Sequence, residues 1–477
     1  MGTINNKSGR TTTVSTYELD QVQGHSQAQL NPFQTNHSAK PESIRELSNL
    51  NEEETTAKDE IIYPEGGLQA YLVVFGSFMG LIPAFGLINS IGAIESYVST
   101  HQLSQVSTST ISWIFSLFTF MSSAAGIFSG AFFDRQGAFY PLCIGTVLFC
   151  GGLIGTANCT TVAQFIMVFG VICGLGNGML ISPLVGVVAH YFDRKRATYS
   201  SVATTGGSVG GIIFPLILKK LYPAVGFAWA MRALGFICLG LLTIAITFAK
   251  ARKFNTEEPK EKMTWKQFIR TYFLDVFDYR GFKETKFTFC ALGVCLSESS
   301  LIVSSIYFPS YAIKRGFSES TSYLLITVVN STGILGRYIP GYLADKFVGR
   351  FNIVILMLLG CAACSLILWL PFGYSLPILY VYAALYGFFS GAILSLPPVC
   401  CGQISKTEEF GKRYATTYLI TSCGFIAMIP VGGVIVDKGQ ISNYNGFIGF
   451  VAALALSGAA CYAISRSSVV GWKLKKF

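Results

Sequence analysis

Residues Tyr191 to Gly211 read YFDRKRATYSSVATTGGSVGG, and the rest of the chain can be placed around them. Ahead of this stretch, residues 165–188 hold no charged side chain. Asp193, Arg194, Lys195 and Arg196 then follow in direct succession, and a second apolar run begins. Cations wedged between two apolar helices mark a cytoplasmic loop of a multispanning membrane protein. The second run opens on small residues: Ala197, Ser200, Ser201, Ala203, Gly206, Gly207, Ser208, Gly210 and Gly211. Gly206 with Gly210, and Gly207 with Gly211, are small-xxx-small pairs that let helix backbones approach closely inside a bilayer.

Composition agrees. Of 477 residues, 51% are apolar and 13% charged, where a soluble chain carries roughly a quarter charged. The net charge of +10 sits in short loops between apolar runs, where it sets topology, so nucleic-acid binding is excluded. The 13 cysteines lie in or beside apolar runs. Cys361 and Cys364 form a CxxC with no second pair at ligand spacing, so neither a metal site nor a disulfide framework is expected. There is no charged-then-apolar leader, and the first span is expected to direct insertion itself.

A span needs about 20 apolar residues. Twelve stretches qualify, near 69–96, 108–132, 138–157, 161–189, 198–222, 227–249, 286–312, 320–344, 351–371, 376–402, 413–436 and 444–465. The expected fold is therefore all-α, with six spans in residues 63–249 and six in 286–465. Residues 1–62 are polar and read as a disordered cytosolic tail. The loop 250–285 is strongly charged, with an interfacial helix expected around Trp265 to Phe277, and residues 466–477 form a second cytosolic tail. With both ends inside, the cytosolic segments after the tail carry 23 Lys and Arg. The external face carries five: Lys219, Lys220, Lys314, Arg315 and Lys438.

The halves repeat. Gly130-Ala131-Phe132-Phe133-Asp134-Arg135 closes the second span and Gly341-Tyr342-Leu343-Ala344-Asp345-Lys346 closes the eighth. Arg196-Ala197-Thr198 before the fifth span recurs as Arg413-Tyr414-Ala415-Thr416-Thr417 before the eleventh. Two halves related by an axis along the membrane normal produce such offsets.

Tyr191-Phe192, the charged residues, Arg196-Ala197 and the glycine-rich helix resemble one signature of the monocarboxylate-transporter family, a branch of the major facilitator superfamily. Pro64-Glu65-Gly66-Gly67-Leu68-Gln69-Ala70-Tyr71 resembles the other, with an expected tryptophan missing. The likeness runs from Tyr63 to Ser465 and is nearest the fungal members. It implies a twelve-helix carrier that moves a small organic solute across the plasma membrane, the site lying between the halves. It also implies that Asp134, Arg135, Asp345, Lys346, Arg196 and Arg413 work the inner gate. A vacuolar or other internal membrane is the alternative location.

Charges inside spans are costly and point to function. Three stand out: Arg232, near an external end; Glu298, among small polar residues of the seventh span; and Arg337, in the eighth span, with Asn330 two turns earlier. The resemblance makes Arg337 the substrate anchor; an ion pair with Glu298 is the competing structural reading. The family's carboxylate carriers have an acid where this chain has Gly333, and a lysine where it has Asn89. Those departures weaken proton–monocarboxylate symport and favour riboflavin-type facilitated uptake, as in fungal relatives that also lack both groups. Aromatics Phe85, Tyr307, Phe308, Tyr311, Tyr382, Tyr386 and Phe388 offer stacking faces for such a ring. Symport, and a non-transporting nutrient sensor, stand as alternatives. Gly174-Leu175-Gly176-Asn177-Gly178 follows no strand, so helix packing accounts for it rather than a dinucleotide. No phosphate loop and no nucleophile–base set is visible. Neither catalysis nor a cofactor is expected, and no partner other than the solute and lipid.

Overall fold

The computed structural model describes residues 64–192, 196–252, 276–405, 410–437, 440–473 and 475–477, with the backbone alone at 134, 135, 196, 197, 345 and 410. The N-terminal tail lies outside this set, as does the expected interfacial helix apart from its last two residues. All described elements are helical. They begin with α1 (Leu68–Thr100), α2 (Thr108–Gln136), α3 (Phe139–Thr156) and α4 (Val162–Ala189). The run Arg196–Phe248 is two helices. Gly226 takes φ 76°, a left-handed conformation that glycine adopts at little cost, just after Pro223. It divides the run into α5 (196–225) and α6 (227–248). After a 3-10 turn at Tyr279–Lys283 come α7 (Thr285–Lys314), α8 (Glu319–Leu343) and α9 (Arg350–Phe372). α10 (Leu376–Ser395) continues as Pro397–Ile404, and α11 (Phe410–Val436) and α12 (Ile441–Val470) complete the set.

Among the described residues, ten helical runs are long and apolar enough to cross a membrane, α5 and α6 counting there as one. α8 has the length, at 25 residues, but Asn330, Ser331, Thr332 and Arg337 make it too polar to qualify by composition. Of these, Asn330 and Arg337 are buried and line a cavity, while Ser331 is exposed.

α1 packs along α5, α2 along α4, α7 along α12 and α8 along α10. Between the first six helices and the last six, the main contacts run α2 to α11, α5 to α8 and α1 to α7, with a smaller one from α1 to α8. The small residues of α5 make two of these approaches possible. A Cβ on Gly210 would fall 2.7 Å from the Gly86 Cα of α1, and one on Gly211 would fall 2.5 Å from the Asn330 side chain of α8. The glycines of α4 act in the same way: a Cβ on Gly178 would sit 2.8 Å from Ala125 of α2, as the packing reading requires.

The two sequence signatures, far apart in the chain, form one corner. Glu65 N–H donates to Tyr191 O at 3.1 Å, and Phe192 stacks on Tyr199 with centroids 4.0 Å apart. Tyr191 in turn donates its hydroxyl to Lys250 O at 3.2 Å, so the entrance to α1, the α4–α5 turn and the end of α6 are tied together.

Candidate functional site

A narrow, partly open cavity lies among α1, α5, α7, α8 and α10. Three of the four expected site residues line it: Asn89 from α1, and Asn330 and Arg337 from α8. Each reaches a backbone carbonyl of α5. Arg337 Nη1 donates to Thr204 O at 2.7 Å, Asn89 Nδ2 to Gly207 O at 3.0 Å, and Asn330 Nδ2 to Gly211 O at 3.2 Å. The absence of side chains at 207 and 211 helps expose those carbonyls, so the small-residue helix supplies a polar ladder as well as a packing face. Arg337 is 4% exposed, and its Nε has no hydrogen-bond partner among the described residues. The guanidinium thus lies at the cavity with one N–H buried and unpaired among the described residues.

Glu298 stands apart. It is buried, absent from the cavity wall, and accepts from Tyr418 Oη of α11 at 2.9 Å. The Glu298–Arg337 ion pair is therefore not formed: α8 turns Arg337 toward α5, and α7 turns Glu298 toward α11. Gly333, where carboxylate carriers have an acid, also lines the cavity. A Cβ there would meet only Gly387 O, at 3.5 Å, so the position is open.

Of the aromatics singled out in the sequence, Phe308, Tyr382 and Tyr386 line the cavity. Tyr382 and Tyr386 stack at 5.2 Å, and Phe308 meets Tyr382 edge-on at 5.3 Å. Tyr307 donates instead to Ile429 O, and Tyr311 packs on Trp369, so these two belong to the helix core. The cavity thus has an aromatic wall on α7 and α10 and an amide–guanidinium wall on α1, α5 and α8. Ser304 and Ser390 add hydroxyls between them.

Among the gating candidates, the side chains of Asp134, Arg135, Arg196 and Asp345 lie outside the described residues. Lys346 is exposed and donates to Tyr342 Oη at 2.7 Å. Arg413 is buried and holds two acids at the entrance to α7, Asp278 at 3.2 Å and Glu284 at 2.6 Å. The hydrogen bond from Arg413 pulls the Glu284 carboxyl below its ordinary range. Arg232 donates to Asn158 Oδ1 at 2.7 Å and lies over Trp229, a helix-end contact away from the cavity. The sequence reading missed one buried acid. Glu95 of α1 is 1% exposed and accepts from Ser310 of α7. It lies near the end of the expected span 69–96, and α1 runs on to Thr100, so an acid inside the first span was the available signal.

Comparison with known proteins agrees with this architecture. The profile of the Major Facilitator Superfamily matches residues 68–376, and that of the MFS_1 like family matches residues 299–475. Riboflavin transporter MCH5 of Saccharomyces cerevisiae is 44% identical over 445 residues, 91% of this chain and 85% of that one. MFS transporter asaE of Aspergillus flavus is 33% identical, with 86% and 90% covered. The crystal structure of the nucleoside transporter NupG shares the fold, with a TM-score of 0.62 at 14% identity over 85% of this chain and 100% of that one. A helical fold with a polar cavity at the meeting of its first and last six helices, and matches over most of the chain, make this protein a multi-pass membrane transporter belonging to the Major Facilitator Superfamily.

Proposed function

We propose that the protein carries riboflavin, or a solute of that planar, hydroxylated class, by alternating access and without obligatory proton coupling. The observation that carries this reading is the two-faced cavity. Its aromatic wall suits a flat ring. Arg337 and the two asparagines suit ring carbonyls and amides, and the serine hydroxyls suit a polyol chain. The riboflavin transporter from yeast, 44% identical, supports the same reading. Gly333 and Asn89, in place of an acid and a lysine, speak against proton–monocarboxylate symport.

On this reading the chain is a carrier rather than an enzyme, of the monocarboxylate-transporter-like branch, in the plasma membrane. Residues 63–249 and 286–465 rock as two halves with both termini cytosolic. Asp134 and Asp345 act at the inner gate.

The test is uptake of labelled riboflavin and labelled lactate into cells lacking their own carriers, before and after collapse of the proton gradient. Saturable riboflavin uptake that survives collapse is expected. Lactate uptake that stops on collapse would establish symport instead, and no uptake of either by correctly inserted protein would favour a sensor.

A further inference from the structure

We infer that Glu95 and Ser310 form the latch that holds one end of the cavity shut, and that Glu95 thereby sets how often the site opens there. The inference does not depend on which solute is carried. α1 and α7 come from opposite six-helix sets, and they meet along Gly92–Glu95 and Ser305–Ser310. A Cβ on Gly92 would fall 2.9 Å from Ile306 O and 3.1 Å from the Pro309 ring, so the backbones touch. One turn further on, Ser310 Oγ donates to Glu95 Oε2 at 2.6 Å. This is the one side-chain hydrogen bond between α1 and α7 among the described residues. Ser305 and Phe308, just beneath it on α7, line the cavity.

A carboxyl group 1% exposed within a span is costly to keep. Glu95 does nothing for its own helix, since its hydrogen bond goes to the opposite set. A second contact closes the same end: Asp437, after α11, accepts from the Ser109 N–H at the start of α2, 3.3 Å away. For the site to open on this side, α1 must leave α7, and the Glu95–Ser310 bond is what they must break. Alanine at 95 removes the acceptor and leaves Ser310 free to turn to a carbonyl of its own helix, which favours the open form. Glutamine keeps an acceptor oxygen in place.

The experiment uses the full chain with Ser305→Cys and a membrane-impermeant thiol reagent, applied to intact cells and to inverted vesicles. The same chain without that change subtracts labelling of Cys423 and other native thiols. Adding Glu95→Ala or Ser310→Ala is expected to speed labelling about fivefold, the size of one net hydrogen bond in a two-state equilibrium. The gain should appear only from the face bearing residues 97–107, and Glu95→Gln should label near the parental rate. Unchanged labelling in variants that stay monodisperse would overturn the latch. So would equal acceleration from both faces, which marks loosened packing rather than gating.

Discussion

Arg413→Gln is expected to destabilise the protein without touching the cavity, although the sequence repeat suggested a gate. The Arg413 side chain is 5% exposed, and it pairs with Asp278, 17% exposed, and Glu284, 40% exposed. Stranding a buried partner costs about 3–5 kcal/mol, while an exposed pair contributes about 0.2–1 kcal/mol. Asp278 is nearer the first case, but its other oxygen keeps a hydrogen bond from Gly281 N–H at 3.0 Å. Glu284 is nearer the second. A net loss of about 2–4 kcal/mol follows, less than for a fully buried pair.

The pH dependence has a definite sign. Glu284 titrates below its ordinary 4.5 in the folded chain, so its contribution is present above that value and is lost as pH falls through the lowered one. Thermal unfolding of purified protein should show wild type above the variant by several degrees at neutral pH, with the gap narrowing as pH drops below about 4.5. A gap under one degree at neutral pH, or one that does not narrow in acid, would refute the reasoning.

Further outcomes follow from other contacts. Glu298→Gln and Arg337→Gln should add in a double-mutant cycle of thermal stability within about 0.5 kcal/mol, since the two side chains hold different partners; strong coupling would restore the ion pair. Arg337→Lys, which loses the planar fork, should weaken solute-induced thermal stabilisation more than it lowers the melting temperature. Gly210→Val should abolish folding or insertion, because its side chain would enter the α1 backbone at Gly86; normal yield on gel filtration would contradict that approach. Reporter fusions after Arg252 and after Ser468 should both read cytosolic, and an external signal at either would reverse the topology.

Some of this was written in the sequence. Crossing a bilayer is decided by about 20 consecutive residues, so the spans follow from local hydropathy. The expected side rests on cations in short loops. The stretch counted near 320–344 is α8, although its polar residues leave it short of the composition that marks the other spans. The small residues at 206–211 announced a close helix contact before any neighbour was known. Arg337, Asn89 and Asn330 stood out because polar groups in spans are rare and because Arg337 matched a family pattern, and the structure brings all three to one cavity.

Their partners were not legible. Arg337, Asn89 and Asn330 bind the carbonyls of Thr204, Gly207 and Gly211, and a carbonyl is carried by every residue type, so nothing in the composition marks it. Glu298 and Arg337 were equally good partners on paper. The rotation of α7 and α8 about their own axes, set by packing over the whole helix, sent one toward Tyr418 and the other toward Thr204. The Glu95–Ser310 contact joins residues 215 positions apart on helices from opposite sets. Only the closed arrangement of those helices brings them within a hydrogen bond, which is why tertiary structure alone decided it.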